Sequence, residues 1–406
     1  MSKIKILAVS PDSFGVGKYR ILDPFVFLGE NYSNEFHVDI SNNVQQSDEL
    51  FLKYDIVVFH SFIHNGNHEL NVERVKWLKS KGIIVIMDTD DYWVVDHRHP
   101  MYEQIKISEL PRKRAELLRL ADHVTCTTKI YANTLKNKLG LKSVHVFPNA
   151  VNKEEKQFIP SPTQSDRLRF GWLGGSSHYH DLDILRSGIS TTLANYPDKV
   201  QFVLCGFDVR GTMTMIDKKT GQITKQPIKP METVWYKYEH IFTNNYKSID
   251  LEYRNFLHKF SSEETYDTMN EQYVRVWTQP INKYANNYNL FDVSLAPLLS
   301  SDFNMNKSQL KVIEAGFHKK ALIASDCNPY TLDLVNAMDK GEFKDGNALL
   351  VSHNKNHKQW AYYMKKLIDN PNMVEDLGNR LYETVKDTYS LQKVTLDRIE
   401  FFKSLI

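Results

Sequence analysis

Residues 292–298 read D-V-S-L-A-P-L, and residues 301–316 read S-D-F-N-M-N-K-S-Q-L-K-V-I-E-A-G. The first run is apolar and has the length of a buried strand. Asn306 is placed to cap a helix starting there, because its side chain can accept from the first free N–H groups. Counted from that cap, Lys307, Lys311 and Glu314 fall at i, i+4 and i+7 on one face, with Leu310, Ile313 and Phe317 packing beneath. A helix N-terminus attracts anions, since its free amides and its macrodipole point at the ligand. Amides at Ser308, Gln309 and Leu310 with two lysines suit a diphosphate, and a carboxylate two turns along suits paired hydroxyls such as those of a ribose. The plain alternative is a capped helix with solvated lysines, which is common.

A second constellation of the same kind lies upstream. Residues 168–173 (L-R-F-G-W-L) are strand-like and lead into Gly174, Gly175, Ser176, Ser177 and His178, followed by a helical run from His180. Glycines let backbone amides approach a phosphate, and serines add hydroxyl donors. One glycine turn says little, and His180-Asp181 could simply cap the next helix. Two strand–turn–helix anion sites in one half of a chain say more.

Together, strand–G-G-S-S-x-H-x-x-D-L and D-V-S-L-A-P-L…N-x-N-K-S-x-x-K-x-x-E-A-G resemble bacterial glycosyltransferases of the GT-B fold. The likeness is to the family 4 type, in a branch common among surface-polysaccharide enzymes. Residues 3–10 with G-V-G-K-Y-R (15–20) are similar to the first strand and glycine loop of that fold. G-I-I-V-I-M-D-T-D-D-Y-W (82–93) is similar to the branch's acidic motif. A-D-H-V-T-C-T-T (121–128) and V-F-P-N-A (146–150) resemble the end of its first domain.

The resemblance implies an α/β chain of two Rossmann-like parallel-sheet domains facing across a cleft, with a C-terminal helix crossing back to the first. It also implies transfer of a sugar from a nucleotide sugar to a glycan or lipid-linked glycan, with retention and with neither metal nor cofactor. Donor contacts are then expected from Gly15, Gly17, Arg20, Gly174, Gly175, Ser176, Ser177, His178, Asn306, Lys307, Ser308, Gln309 and Leu310. Catalytic roles are expected for Asp88, Asp90, Lys311 and Glu314. One departure matters. Many family members carry an E-x7-E pair, and Asn306 stands in the place of its first glutamate while Glu314 keeps the second. The cluster Asp88-Thr89-Asp90-Asp91 also invites a metal reading, because D-x-D motifs bind Mn²⁺ or Mg²⁺ in the other large glycosyltransferase fold. By position it falls where related enzymes put a histidine that contacts the sugar, so Asp88 or Asp90 would meet the donor sugar or position the acceptor. Acidic helix caps are the remaining reading.

At 406 residues the chain is long enough for two or three domains. A formal net charge of +2 does not suggest nucleic acid as a partner. Only K-R-A-E-L-L-R (113–119) and the lysines of 218–229 favour the alternative of a transferase acting on modified phage DNA, and solvated surface explains them equally. A non-catalytic nucleotide-sugar-binding protein is the third reading, prompted by Asn306. Three widely spaced cysteines, Cys126, Cys205 and Cys327, argue for reduced buried thiols in a cytoplasmic protein. No apolar stretch approaches the ~20 residues of a membrane span, so membrane contact is expected to be peripheral at most.

Candidate strands at 4–9, 36–40, 56–60, 83–88, 123–127 and 144–147 alternate with helical patterns at 19–28, 70–79, 111–120 and 130–139. Residues 152–166 are polar with two prolines and read as a linker. A second set of strands is expected at 169–173, 200–205, 291–296, 321–325 and 348–351. The domains are therefore read as 1–152 plus a final helix at about 388–406, and 167–387 with an insertion at about 208–279. That insertion opens with a hairpin-like D-K-K-T-G-Q-I-T-K and continues through W-Y-K-Y-E-H (235–240) into a tyrosine-rich helical stretch. It either packs as an ordinary insertion, shapes the base pocket or makes an oligomer contact.

Overall fold

The computed structural model describes residues 3–42, 48–64, 67–209, 212–216, 223–243, 272–352 and 356–406. In chain order its strands are β1 Ile4–Val9, β2 Phe36–Ser41, β3 Ile56–His60, β4 Ile84–Thr89, β5 His123–Cys126 and β6 Val144–Val146. They continue as β7 Leu168–Leu173, β8 Val200–Phe207, β9 Thr212–Ile216, β10 Ile223–Pro227, β11 Tyr273–Trp277, β12 Val293–Ala296 and β13 Ala321–Ser325. The last are β14 Met338–Asp339, β15 Glu342–Phe343 and β16 Leu349–Val351. Two six-stranded sheets result, ordered β2-β1-β3-β4-β5-β6 and β11-β8-β7-β12-β13-β16, with β9–β10 and β14–β15 as separate antiparallel pairs. Every pairing within the two large sheets is parallel. Strands such as I-V-V-F-H and A-L-I-A-S are buried at every position, as helices on both faces of a parallel sheet require.

The chain forms two compact units: residues 1–156, 300–313 and 384–406, and residues 157–299 and 314–383. In the first, alternation along the strands sends Leu7, Val57 and Val85 to one face with Phe51 and Leu78. Ile6, Val58 and Ile86 point to the other face, where they meet Phe25 and Phe402. The final helix, Leu391–Lys403, is capped by Ser390, whose hydroxyl accepts from the Lys393 amide. Its Phe402 ring sits 6.0 Å from Phe25. Val151 and Leu391 tie the helix to the end of the first sheet: the Val151 amide donates to the Tyr389 carbonyl and the Leu391 amide to the Val151 carbonyl, both at 2.9 Å. The expected C-terminal crossover is thus present.

The second unit packs Phe170, Trp172, Phe202 and Leu204 against Trp235, Tyr238 and Trp360. Gly171 lies where a Cβ would come 2.1 Å from the Phe291 ring, so β7 can pass that residue only as glycine. Residues 208–279 are not all insertion. They hold the expected hairpin as β9 and β10, and a helix Val234–Phe242 capped by Thr233. They also supply β11, an unexpected edge strand pairing in parallel with β8. The hairpin turn (217–222) and the tyrosine-rich stretch (244–271) lie outside the described residues.

In each sheet the strand order reverses beside the first strand, between β1 and β3 and between β7 and β12. In open α/β sheets ligands bind at the carboxyl ends of strands flanking such a reversal. The candidate residues follow β1, β3, β4, β7 and β12, which are those ends.

Candidate functional site

After β1 the chain turns tightly. The Asp12 carboxylate accepts from the Phe14 and Gly17 amides at 2.8 and 3.0 Å, and Ser10 Oγ donates to the Asp12 carbonyl. A Cβ on Gly17 would fall 2.0 Å from that carbonyl, whereas nothing lies within 4 Å of one on Gly15. The following turn, Lys18–Leu22, is a π-helix that carries Arg20 inward. Arg20 was expected to meet the donor, but it is 1% exposed. Its Nη2 and Nε donate to the two Asp88 oxygens at 2.7 and 3.0 Å, and its Nη1 to the Phe147 carbonyl and to Asn149 Oδ1. Asp88, also 1% exposed, accepts in addition from Thr125 Oγ1 at 2.5 Å. Burial works against both charges. The Arg20–Asp88 attraction outweighs it, holding the carboxyl below and the guanidinium above their ordinary values. The pair therefore forms a buried floor and does not face a ligand, which corrects the direct roles expected of both.

Asp90 and Asp91 lie on top of that floor. His60 Nε2 donates to Asp90 Oδ1 at 2.9 Å, and His60 Nδ1 meets Ser61 Oγ at 2.7 Å. An ionised carboxylate only accepts, so the ring proton sits on Nε2 and the Ser61 hydroxyl donates to Nδ1. Ser61 Oγ in turn accepts from Arg114 Nη2 at 2.7 Å, and the Arg114 guanidinium stacks 4.9 Å over Trp93. Ser61 holds φ at +71°, a strained setting for a non-glycine residue that aims its hydroxyl between the two rings' partners. Burial would raise the Asp90 carboxyl, but His60, with Arg114 and Arg20, holds it at about 2. Burial and the neighbouring Asp90 charge push Asp91 up to about 6, against the pull of Lys307, His60 and Arg114. The Asp91 main-chain carbonyl is fixed by Tyr131 Oη at 2.6 Å. Its side chain makes no hydrogen bond among the described residues.

The stretch expected to be one capped helix is two elements. Ser301, not Asn306, is the cap: its Oγ accepts from the Asn304 amide and starts the short turn Asp302–Met305. Asn306 closes that turn, buried, with Nδ2 donating to the Asp302 carbonyl at 2.6 Å. The longer helix begins at Leu310 and runs to Phe317. Lys307 therefore precedes it, with Nζ 4.6 Å over the Phe303 ring. Ser308 Oγ accepts from Asn149 Nδ2 at 3.0 Å, and Gln309 Nε2 donates to Tyr389 Oη at 2.8 Å. Lys311 and Glu314 do share the helix, but not one ligand-facing surface. Lys311 is half-buried, while Glu314 is buried and accepts from Tyr288 Oη at 3.1 Å and from Tyr284 Oη.

The loop after β7 keeps its expected form, with Gly175, Ser176 and Ser177 exposed. The helix beyond it is one short turn, Tyr179–Asp183, before a second helix Arg186–Asn195. Tyr238 straddles the loop, accepting from the His178 amide at 2.8 Å and donating to the Gly175 carbonyl at 3.2 Å. His178 Nδ1 lies 2.9 Å from Asp181 Oδ2, and Asp181 Oδ1 accepts from the Leu299 amide. Gly206, at φ +92°, admits the Gly174 carbonyl where a Cβ would come within 2.6 Å of it. Cys126, Cys205 and Cys327 are free thiols. Burial pushes Cys126 and Cys327 up to about 12.

His60, Ser61, Asp91 and Arg114 were not singled out by sequence. His60 ends an apolar strand beside a strand-order reversal, a signal that was available. Among the described residues no group of three or more His, Cys, Asp or Glu is arranged to hold a metal ion, and no helix is long and apolar enough to cross a membrane.

Two six-stranded parallel sheets of this order, with the last helix returned to the first, define the GT-B fold. Solved structures share it. The chain aligns with Anabaena HepE, solved in complex with UDP-glucose, over 99% of its own length and 100% of that protein's, at 10% identity and a TM-score of 0.59. It aligns with α,α-trehalose-6-phosphate synthase from Burkholderia multivorans over 100% and 97%, at 10% identity and 0.55. It also aligns with a Listeria monocytogenes protein described as a UDP-N-acetylglucosamine 2-epimerase, over 99% and 96%, at 10% identity and 0.53. No protein-family model and no curated protein matches the sequence.

Proposed function

We propose that this chain is a glycosyltransferase, similar to family 4, that moves a sugar from a nucleotide sugar to a glycan or lipid-linked glycan without a metal. The observation that supports it best is the glycine loop Gly174–His178. It follows β7 beside a strand-order reversal, with its serines exposed and its backbone pinned by Tyr238. Glycosyl transfer requires that the leaving diphosphate be neutralised and the acceptor hydroxyl aimed at the anomeric carbon. Lys307, Lys311 and the amides of both turns supply the first requirement in this reading. Glu314 takes the ribose hydroxyls by exchanging a tyrosine partner for the sugar. The Arg20–Asp88 pair positions Asp90 and Asp91 from beneath. Free, buried thiols suit a reducing cytoplasm. Family 4 resemblance implies retention, which needs no protein base.

The test is ligand-induced stabilisation by nucleotide diphosphates and their sugars, followed by donor turnover. Glu314→Gln should weaken nucleotide binding by about 1.5–3 kcal/mol, the value of a charge-assisted hydrogen bond. Unchanged binding would remove the ribose assignment, and turnover of no nucleotide sugar would remove the transferase reading.

A further inference from the structure

The acidic run 88–91 holds three carboxylates in three different conditions, and only one has a side chain that nothing in the fold occupies. Asp88 is enclosed by Arg20 and Thr125, and Asp90 is held by His60. Asp91 is partly exposed, and its side chain makes no hydrogen bond among the described residues, although Tyr131 Oη fixes its main chain. A carboxylate with a rigid backbone and an unengaged head, at the carboxyl end of β4, is built to meet something that is not part of the protein. Charged groups face it from every neighbouring element: Asp90 on its own loop, His60 from β3, Arg114 from the helix Leu110–Leu120, and Lys307 from the 300–313 segment.

We propose that Asp91 is the proton acceptor for the attacking hydroxyl and that transfer therefore inverts the anomeric configuration. The inference rests on the glycosyl-transfer reading, and it departs from the retention that the family resemblance implies. In the step, the acceptor O–H proton passes to an Asp91 oxygen while the acceptor oxygen forms its bond to the anomeric carbon. The bond from that carbon to the diphosphate breaks, its electron pair leaves with the nucleotide diphosphate, and Lys307 is close enough to Asp91 to interact with it electrostatically. Asp90 and Arg114 act on Asp91 through charge and are positioning residues. A carboxyl pushed up to about 6 is ionised at neutral pH, yet is a stronger base than an ordinary carboxylate. Asn306 fits the same picture, since it removes the carboxylate that the E-x7-E pattern places at that position.

The experiment uses the full chain with a panel of UDP-, GDP- and ADP-sugars, and with water or a simple aryl glycoside as hydroxyl acceptor. Proton NMR reads the anomeric configuration of the first product, which should be opposite to that of the donor. Asp91→Asn should lower kcat for hydroxyl acceptors by about 10²–10⁴-fold and abolish the acid limb near pH 6, while the donor KM stays nearly constant. Azide arrives without a proton, so turnover to glycosyl azide should survive in the variant. Unchanged nucleotide binding by the variant shows that it is folded. A retained product, undiminished hydroxyl transfer, or equal loss with azide overturns the role of Asp91 and leaves the transferase reading standing. A wild-type protein that turns over no sugar in the panel overturns that reading and this one together.

Discussion

Replacing Arg398 by methionine should stabilise the first unit. Arg398 lies on the final helix, 2% exposed, with its guanidinium 4.8 Å over Phe147 and 5.9 Å over Phe25. Its Nε and Nη2 meet no acceptor among the described residues. Burial first, then the Arg20 charge, lower it from 12.5 to about 9, with Asp88 pulling the other way. The group remains protonated at neutral pH in both folded and unfolded chains, so the whole depression appears as a cost of folding, on the order of 5 kcal/mol. Losing the two ring contacts returns about 0.5–2 kcal/mol each. Methionine fills similar volume without a charge, and the net gain is about 2 kcal/mol. Native-state hydrogen exchange of β1, β3 and β4 amides reports the opening of this unit alone, and should slow by roughly 30-fold. Exchange accelerated tenfold or more would mean that Arg398 supports the Asp88 network, and the reasoning would be wrong.

Gly17→Ala should cost the first unit at least about 2 kcal/mol, because its Cβ meets the Asp12 carbonyl, while Gly15→Ala should stay within about 0.5 kcal/mol. Comparable melting shifts for the two would refute the close-approach argument. His123 and His145 stack on Phe401 of the final helix at 5.6 and 4.2 Å, and burial lowers both, helped at His145 by its neighbour His123. Both are depressed in the folded state, so their contribution is complete above about pH 6.5 and is lost as pH falls below it. Amide exchange in Leu391–Lys403 should accelerate on that side, and a helix more protected at pH 5 than at pH 7.5 would contradict the assignment. Donor turnover should survive chelation by EDTA. Complete loss, restored by Mn²⁺ or Mg²⁺, would make ligands of the residue 88–91 carboxylates.

Strands were legible wherever burial on both faces left a continuous apolar run, and all six strands of the first sheet follow from that. β11 was not, because Arg275 interrupts Y-V-R-V-W and is buried only through its pair with Glu239, 36 positions earlier in the chain. The helix expected to start at Asn306 starts at Leu310, because Ser301 captures the first turn for itself. Cap preference alone cannot rank two good caps five residues apart. Likewise, residues 88–91 announce a cluster of charge but not its partners. Those arrive from Arg20, His60 and Thr125, which only the sheet order brings together. Spacing therefore picked Asp88 and Asp90, and it took tertiary contacts to show that Asp91 is the one left unengaged.

The bridge between Val151 and Ser390 has a consequence during synthesis on the ribosome. All six strands of the first sheet have emerged once Val146 is made, yet the helix that covers Phe25 and Phe36 is the last to appear. The second unit, by contrast, draws only on residues 157–383 and can close before translation ends. The nascent first unit must wait with one face uncovered, and chaperone capture before residue 391, if it occurs, should concentrate there.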